Sequence, residues 1–225
     1  MGITLGMMAR APVPGGCKTR LATVIGEQPA ARLYAAMIRD SIENYSRIGA
    51  THNLVLAAPE LDGMRVLSDL TPPGWQVIPQ TGRGLGERLS NALRALSSDG
   101  WPVLLMGSDS PTVPVAPISA ALACFDGTDR VLLGPTDDGG YYLIGMSLLA
   151  LQVFRDIPWS TSRVLETTLA RCAALSLSTE ILPRWYDVDD GKDLERLRAE
   201  LSDFPERAPR CTDVLRELRL SRAGR

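Results

Sequence analysis

The 225-residue chain predicts an α/β fold, a three-layer α/β/α sandwich with a mainly parallel sheet. Three observations predict it. Short apolar runs alternate with longer segments of helical spacing along most of the chain. Most of those runs are continuously apolar, as strands covered on both faces must be. The unusual polar clusters follow directly on apolar runs, where sheets of this kind place their ligands.

Residues 3–9 (ITLGMMA) read as a buried first strand, and 11–20 as a Pro/Gly loop ending in Lys18 and Arg20. Over 28–46, helical spacing puts Ala31, Tyr34, Ala35, Ile38 and Ile42 on one stripe. A strand at 53–58, a short helix around 60–70 and a strand at 75–79 follow. The glycine-rich stretch 82–86 opens a helix that runs to about Leu96. The next strand, 102–107, ends in Ser108-Asp109-Ser110-Pro111, ahead of a helix at 115–124. Strands at 130–134 and 141–146 flank the turn Asp137-Asp138-Gly139-Gly140. Helices at 161–174 and 191–200 enclose a strand at 177–182. These segments make one domain over 1–202; residues 203–225 are a charged C-terminal tail, helical at 213–220 and frayed at its end.

Composition removes several function classes. The hydrophobic share of 45% supplies a sizeable core. With 24 basic and 26 acidic residues, a net charge of −2 offers no electrostatic case for nucleic acid or an anionic membrane. No apolar run reaches the ~18 residues of a membrane span. The N-terminus lacks the basic region of a signal peptide. Cys17, Cys124, Cys172 and Cys211 are scattered, which argues against a zinc or disulfide framework and suits a reducing cytosol. His52 is the single histidine, which rules out a multi-histidine metal centre and argues against a Ser-His-Asp triad. A cytoplasmic location is expected, and a homodimer is compatible with the sequence.

Five constellations could carry chemistry. In Pro14-Gly15-Gly16-Cys17-Lys18-Thr19-Arg20 the glycines allow close backbone approach, and the two cations suit phosphate oxygens. A plain surface turn is the competing reading. Asp109, at the end of an apolar strand, is a natural hard-metal ligand or else the cap of the next helix. Asp187 and Asp189 stand two apart, so an extended chain puts both on one face, and either could join Asp109. The same stretch also reads as a helix start with Asp189 or Asp190 as cap. Asp137 and Asp138, before Gly139, Gly140 and Tyr141, form a tight turn or a place to bind an acceptor. Gly82-Arg83-Gly84-Leu85-Gly86-Glu87 only superficially matches a dinucleotide fingerprint, because Glu87 replaces its third glycine. A helix start at Gly86 whose N–H groups face a nucleotide is the alternative.

PVPGGCKTRL, GLGERL, LLMGSDSP, GPTDDGGYYLIG, IPWSTSRV and WYDVDDGKDL occur in register over roughly 3–200. Together they resemble a bacterial family of GT-A-superfamily glycosyltransferases, associated with radical-SAM, selenium (selenodomain) or arsenosugar gene clusters. The chain is also similar to small nucleotidyltransferases. The resemblance implies a GT-A, nucleotide-diphospho-sugar transferase fold with Mg²⁺ or Mn²⁺ on Asp109 and Asp189. It implies Lys18 and Arg20 as the cations of the nucleotide loop. The sequence departs from the family pattern at Gly84, usually Asp, at Asp190-Gly191-Lys192, usually Thr-Pro-Glu, and at Ser108-Asp109-Ser110, which carries one carboxylate.

The expected activity is metal-dependent glycosyl transfer from a nucleotide-diphospho-sugar to a small-molecule acceptor. Asp109, Lys18, Asp137 and Asp138 are the candidate catalytic groups. Pro14, Gly15, Gly16, Lys18, Thr19, Arg20 and Gly86 are the candidate nucleotide contacts. Asp138, Gly139, Gly140 and Tyr141 are the candidate acceptor contacts. Nucleotidyl transfer from a nucleoside triphosphate to a phosphorylated or acidic acceptor is the alternative, and a non-catalytic nucleotide-binding module the second.

Overall fold

A computed structural model describes residues 2–99, 102–123 and 129–223. Among them seven strands form one sheet: β1 (Thr4–Ala9), β2 (His52–Ala57), β3 (Trp75–Pro79), β4 (Val103–Gly107), β5 (Arg130–Pro135), β6 (Tyr141–Met146) and β7 (Ser178–Ile181). Their order is β3-β2-β1-β4-β6-β5-β7. Neighbours are parallel except at β6, which runs antiparallel to β4 and β5. That reversal follows from the connection. A parallel crossover needs about a dozen residues or more, and only 136–140 separate β5 from β6.

Side-chain alternation divides the core into two. Leu5 and Met7 of β1 and Leu104 and Met106 of β4 face one layer, while Val103 and Leu105 face the other. The first layer holds α1 (Thr19–Ile25), α2 (Glu27–Ser46), α3 (Gly63–Ser68), α5 (Ala116–Ala123), α7 (Gly191–Asp203) and α8 (Pro209–Ala223). Opposite them lie α4 (Leu85–Leu96) and α6 (Val164–Ala174). Coverage of both faces is why the strands read as unbroken apolar runs.

Several elements differ from expectation. The loop after β1 runs straight into α1, a seven-residue helix with Leu21 as its one buried side chain. One buried position cannot produce a periodic signal. The helix expected from 161 begins at Val164, α7 extends to Asp203, and α8 begins at Pro209. Cys124, at the end of the helix expected over 115–124, and the final residues 224–225 lie outside the described residues. Among the described residues no helix is long and apolar enough to cross a membrane.

The C-terminal segment is tied to the body. Cys211 and Leu215 of α8 join the first core layer. Asp40 of α2 is fully buried and accepts from the backbone N–H groups of Arg210 (3.2 Å) and Cys211 (2.9 Å). It caps a helix 170 residues away, satisfying donors that α8 cannot satisfy itself. Asp40→Ala should therefore lower stability by about 2 kcal/mol, read as a lower urea midpoint. An unchanged midpoint would mean that the cap is redundant.

Candidate functional site

The site begins where β1 ends. Lys18 takes a left-handed backbone (φ 45°, ψ 45°), which a residue with a side chain adopts only when its surroundings hold it there. Its side chain is anchored at the far end. Lys18 Nζ lies 2.5 Å from Asp109 Oδ1 and 2.8 Å from Asp189 Oδ1, with the side chain only 6% exposed. Arg20 donates to the other oxygen of Asp189 at 2.8 Å. Residues 18, 20, 109 and 189 thus meet at one point.

Topology produces that meeting. β1 and β4 are parallel neighbours at which the order of strands changes direction, so the residues following both emerge side by side. Asp189 is brought in by the backbone, because Val188 N–H donates to the Asp109 carbonyl at 2.9 Å. The acids beyond it are occupied with the start of α7. Asp190 accepts from the N–H groups of Lys192 and Asp193, and Asp193 accepts from those of Asp189 and Asp190. Capping by Asp190 leaves Asp189 to face Lys18, so the two readings of this stretch coexist. Asp187, two residues back, accepts from the Ser110 hydroxyl at 2.6 Å.

The charges are strongly coupled. Burial works to lower the Lys18 pKa, but Asp109 and Asp189 outweigh it and hold the ammonium well above its usual range. Burial likewise opposes ionisation of Asp189, yet Lys18 and then Arg20 draw its carboxyl below the ordinary value. Asp187 has no such cation. Burial first, then repulsion from Asp109, pushes its carboxyl up to about 7.

Two chambers meet at this cluster. The first, about 580 Å³, is walled by the Gly16–Arg20 loop, Arg10, Tyr34, Gln80 and Arg88. The second, about 570 Å³, has an apolar floor that includes Leu89, Leu105 and Ile144, with Asp138, Gly140, Tyr141 and Asp187 on its wall. Asp109, Asp189 and Arg20 border both.

The remaining candidates separate. Gly16, Lys18, Thr19 and Arg20 line the first chamber, whereas Pro14 and Gly15 are not part of its wall. Gly86 seats the Trp159 ring, since a Cβ there would stand 2.5 Å from Trp159 Nε1. α4 meets the first chamber through Gly84 and Leu85 instead. Asp137 pairs with Arg196 of α7 at 2.6 Å and is absent from the chamber wall. Asp138 faces the second chamber, with Oδ1 held by the Thr136 hydroxyl (2.6 Å) and the Gly140 N–H (2.9 Å). Gly139 has φ +90°, and a Cβ on it would lie 2.1 Å from the Ser162 carbonyl. It therefore docks the 136–140 turn on the loop before α6 rather than meeting a ligand.

Other wall residues carry no sequence motif. Tyr34, on the apolar stripe of α2, bonds the Ser108 hydroxyl at 2.8 Å and lies with its ring 5.2 Å below Lys18 Nζ. Burial raises its phenol to about 12. Gln80 reaches across the sheet end, donating to the carbonyls of Leu56 (2.6 Å) and Ala9 (3.2 Å). Asp187 was legible as one of a same-face pair with Asp189. Arg10 and Gln80 gave no signal, because each is a lone polar residue at a segment end, and Arg88 lay inside the GLGERL motif without being singled out.

Fold and cleft together define a chain of the nucleotide-diphospho-sugar transferase fold. It belongs to the family DUF2064, described as an uncharacterized protein conserved in bacteria, whose profile matches residues 45–161. A protein from Desulfovibrio desulfuricans G20, assigned to the nucleotide-diphospho-sugar transferases, is 32% identical over 96% of this chain and 95% of its own, with a TM-score of 0.87. CMP:2-keto-3-deoxy-manno-octonic acid synthetase, solved with CTP, shares the fold at 12% identity (TM-score 0.58; 90% of this chain, 99% of that one). So does a Mycobacterium tuberculosis H37Rv protein solved with manganese, at 13% identity (TM-score 0.55; 88% and 98%). No curated protein sequence matches significantly.

The Asp187 carboxyl yields a pH prediction. Its folded pKa of about 7 exceeds the value of about 3.9 expected in an unfolded chain. Between those values the folded state holds the extra proton, so stability falls as pH rises from about 4 to about 7. Asp187→Asn should melt higher than the parent at pH 8 and with it at pH 4. Equal differences at both pH values would remove Asp187 as the cause.

Proposed function

We propose that this protein is a divalent-metal-dependent transferase that moves a glycosyl group from a nucleotide-diphospho-sugar to a small, uncharged acceptor. The observation that carries the reading is the division of the cleft. Beyond Asp109, Asp189 and Arg20, which border both, the first chamber gathers Arg10, Lys18 and Arg88, suited to phosphates. The second adds Asp138 and Asp187 over an apolar floor, unsuited to an anionic acceptor.

Asp109 and Asp189 would hold Mg²⁺ or Mn²⁺. Their oxygens already converge on one cation, the Lys18 ammonium, and one or two carboxylates suffice when phosphate and water supply the other ligands. No group of three or more His, Cys, Asp or Glu side chains able to hold a metal occurs among the described residues, so nucleotide and water would have to supply the remaining ligands. Bound there, the ion would offset the charge growing on the departing diphosphate. Arg20 and Arg10 would balance the same charge from the first chamber. An acceptor hydroxyl would attack the anomeric carbon as its bond to the diphosphate oxygen breaks. The hydroxyl proton would pass to Asp138, whose second oxygen has no hydrogen-bond partner among the described residues. Asp137, paired with Arg196, is left out of this scheme.

The competing chemistry is nucleotidyl transfer, favoured by the number of cations in the first chamber, which a triphosphate would satisfy more fully. Product analysis separates the two. A panel of nucleotide-sugars and nucleoside triphosphates with Mn²⁺ should give a nucleoside diphosphate from a sugar donor. Pyrophosphate released from a triphosphate would replace the glycosyl reading. Asp109→Asn should lower the metal-dependent rate by about 10²-fold or more, and full retained activity would remove Asp109 from the metal.

A further inference from the structure

We propose that Lys18 is a resident counter-cation that keeps the divalent-metal position closed in the free protein, so that the metal enters only as a nucleotide draws the ammonium away. The inference rests on the metal-dependent reading above and adds an order of events to it.

One nitrogen touches both carboxylates. Lys18 Nζ is within 2.8 Å of an oxygen of each, nearly enclosed, and it is the one ion-pair partner of Asp109 among the described residues. Asp189 has a second cation in Arg20, but Arg20 is 71% exposed and binds the other oxygen. A divalent ion held by these two carboxylates would therefore compete with Lys18 for them. Two cations cannot share the place, because like charges a few ångströms apart repel strongly at a partly dry site.

Displacing Lys18 is costly while the cleft is empty of phosphate. Its nearly enclosed ammonium would lose both partners. The first chamber offers the remedy. Lys18 forms part of that wall, with its ammonium over the Tyr34 ring, so a bound diphosphate would give it a new anionic partner. Metal and nucleotide then favour each other's binding by the same factor.

The test is Mn²⁺ binding to the full chain without nucleotide, followed by the electron paramagnetic resonance of free Mn²⁺. Lys18→Met should bind Mn²⁺ about tenfold or more tighter than the parent. Asp109→Asn should abolish that site, and Lys18→Arg should leave it as weak as in the parent. Should Lys18→Met fail to fold, Lys18→Gln, which keeps a donor without the charge, carries the same expectation. Binding in the neutral variants no tighter than in the parent overturns the proposal. If the parent then binds Mn²⁺ at a site that Asp109→Asn removes, the metal-dependent reading survives alone. If neither parent nor variant binds at such a site, the proposal falls, and the same titration repeated with a nucleoside diphosphate decides the metal-dependent reading, which falls if Asp109→Asn then binds Mn²⁺ as well as the parent.

Discussion

Two carboxylates that would otherwise repel each other are held at one point by a single enclosed ammonium. The Asp109–Lys18–Asp189 cluster joins the segments after β1, after β4 and before α7, which are far apart in the chain. Taking an ammonium out of water costs several kcal/mol unless its partners repay it. Here they do, since Lys18 stays charged despite its burial. The neighbouring Arg20–Asp189 pair matters less to stability, because an exposed ion pair contributes at most about 1 kcal/mol. Its value lies in placing a cation on the border between the chambers.

Strand order, one backbone hydrogen bond and one capping box position the cluster. β1 and β4 lie side by side at the turning point of the strand order, so two polar segments leave the sheet together. The bond from Val188 to the Asp109 carbonyl and the Asp190–Asp193 cap fix the third segment. The short 136–140 connection reverses β6 and carries Asp138 to the wall of the second chamber.

The strands were legible because burial on both faces writes an unbroken apolar run, and the polar clusters because they interrupt such runs. Asp109, Lys18 and Arg20 stood out for that reason. The division of labour between adjacent residues did not. Asp137 and Asp138 read alike, and only the position of Arg196 on α7 draws one of them off the cleft. Gly86 read as a helix start near a nucleotide, but Trp159, distant in sequence, takes its open face. Tyr34 and Asp40 were hidden in the stripe of α2, where a polar tip on a buried residue leaves no periodic trace. What failed to show in the sequence was each contact made across a long separation.

The cleft is electrically lopsided, and that lopsidedness would orient an anionic ligand. Cations crowd the side of the Gly16–Arg20 loop, and carboxylates crowd the side of the 136–140 turn. An elongated substrate with one anionic end has a single favourable direction in such a field, because reversing it would set phosphate against Asp138 and Asp187. Asp187 sits within that crowding, its carboxyl pushed up by burial first and then by the charge of Asp109. Such a site gains by importing positive charge with its substrate, and the point at which two carboxylates already share one cation is where that charge would be received.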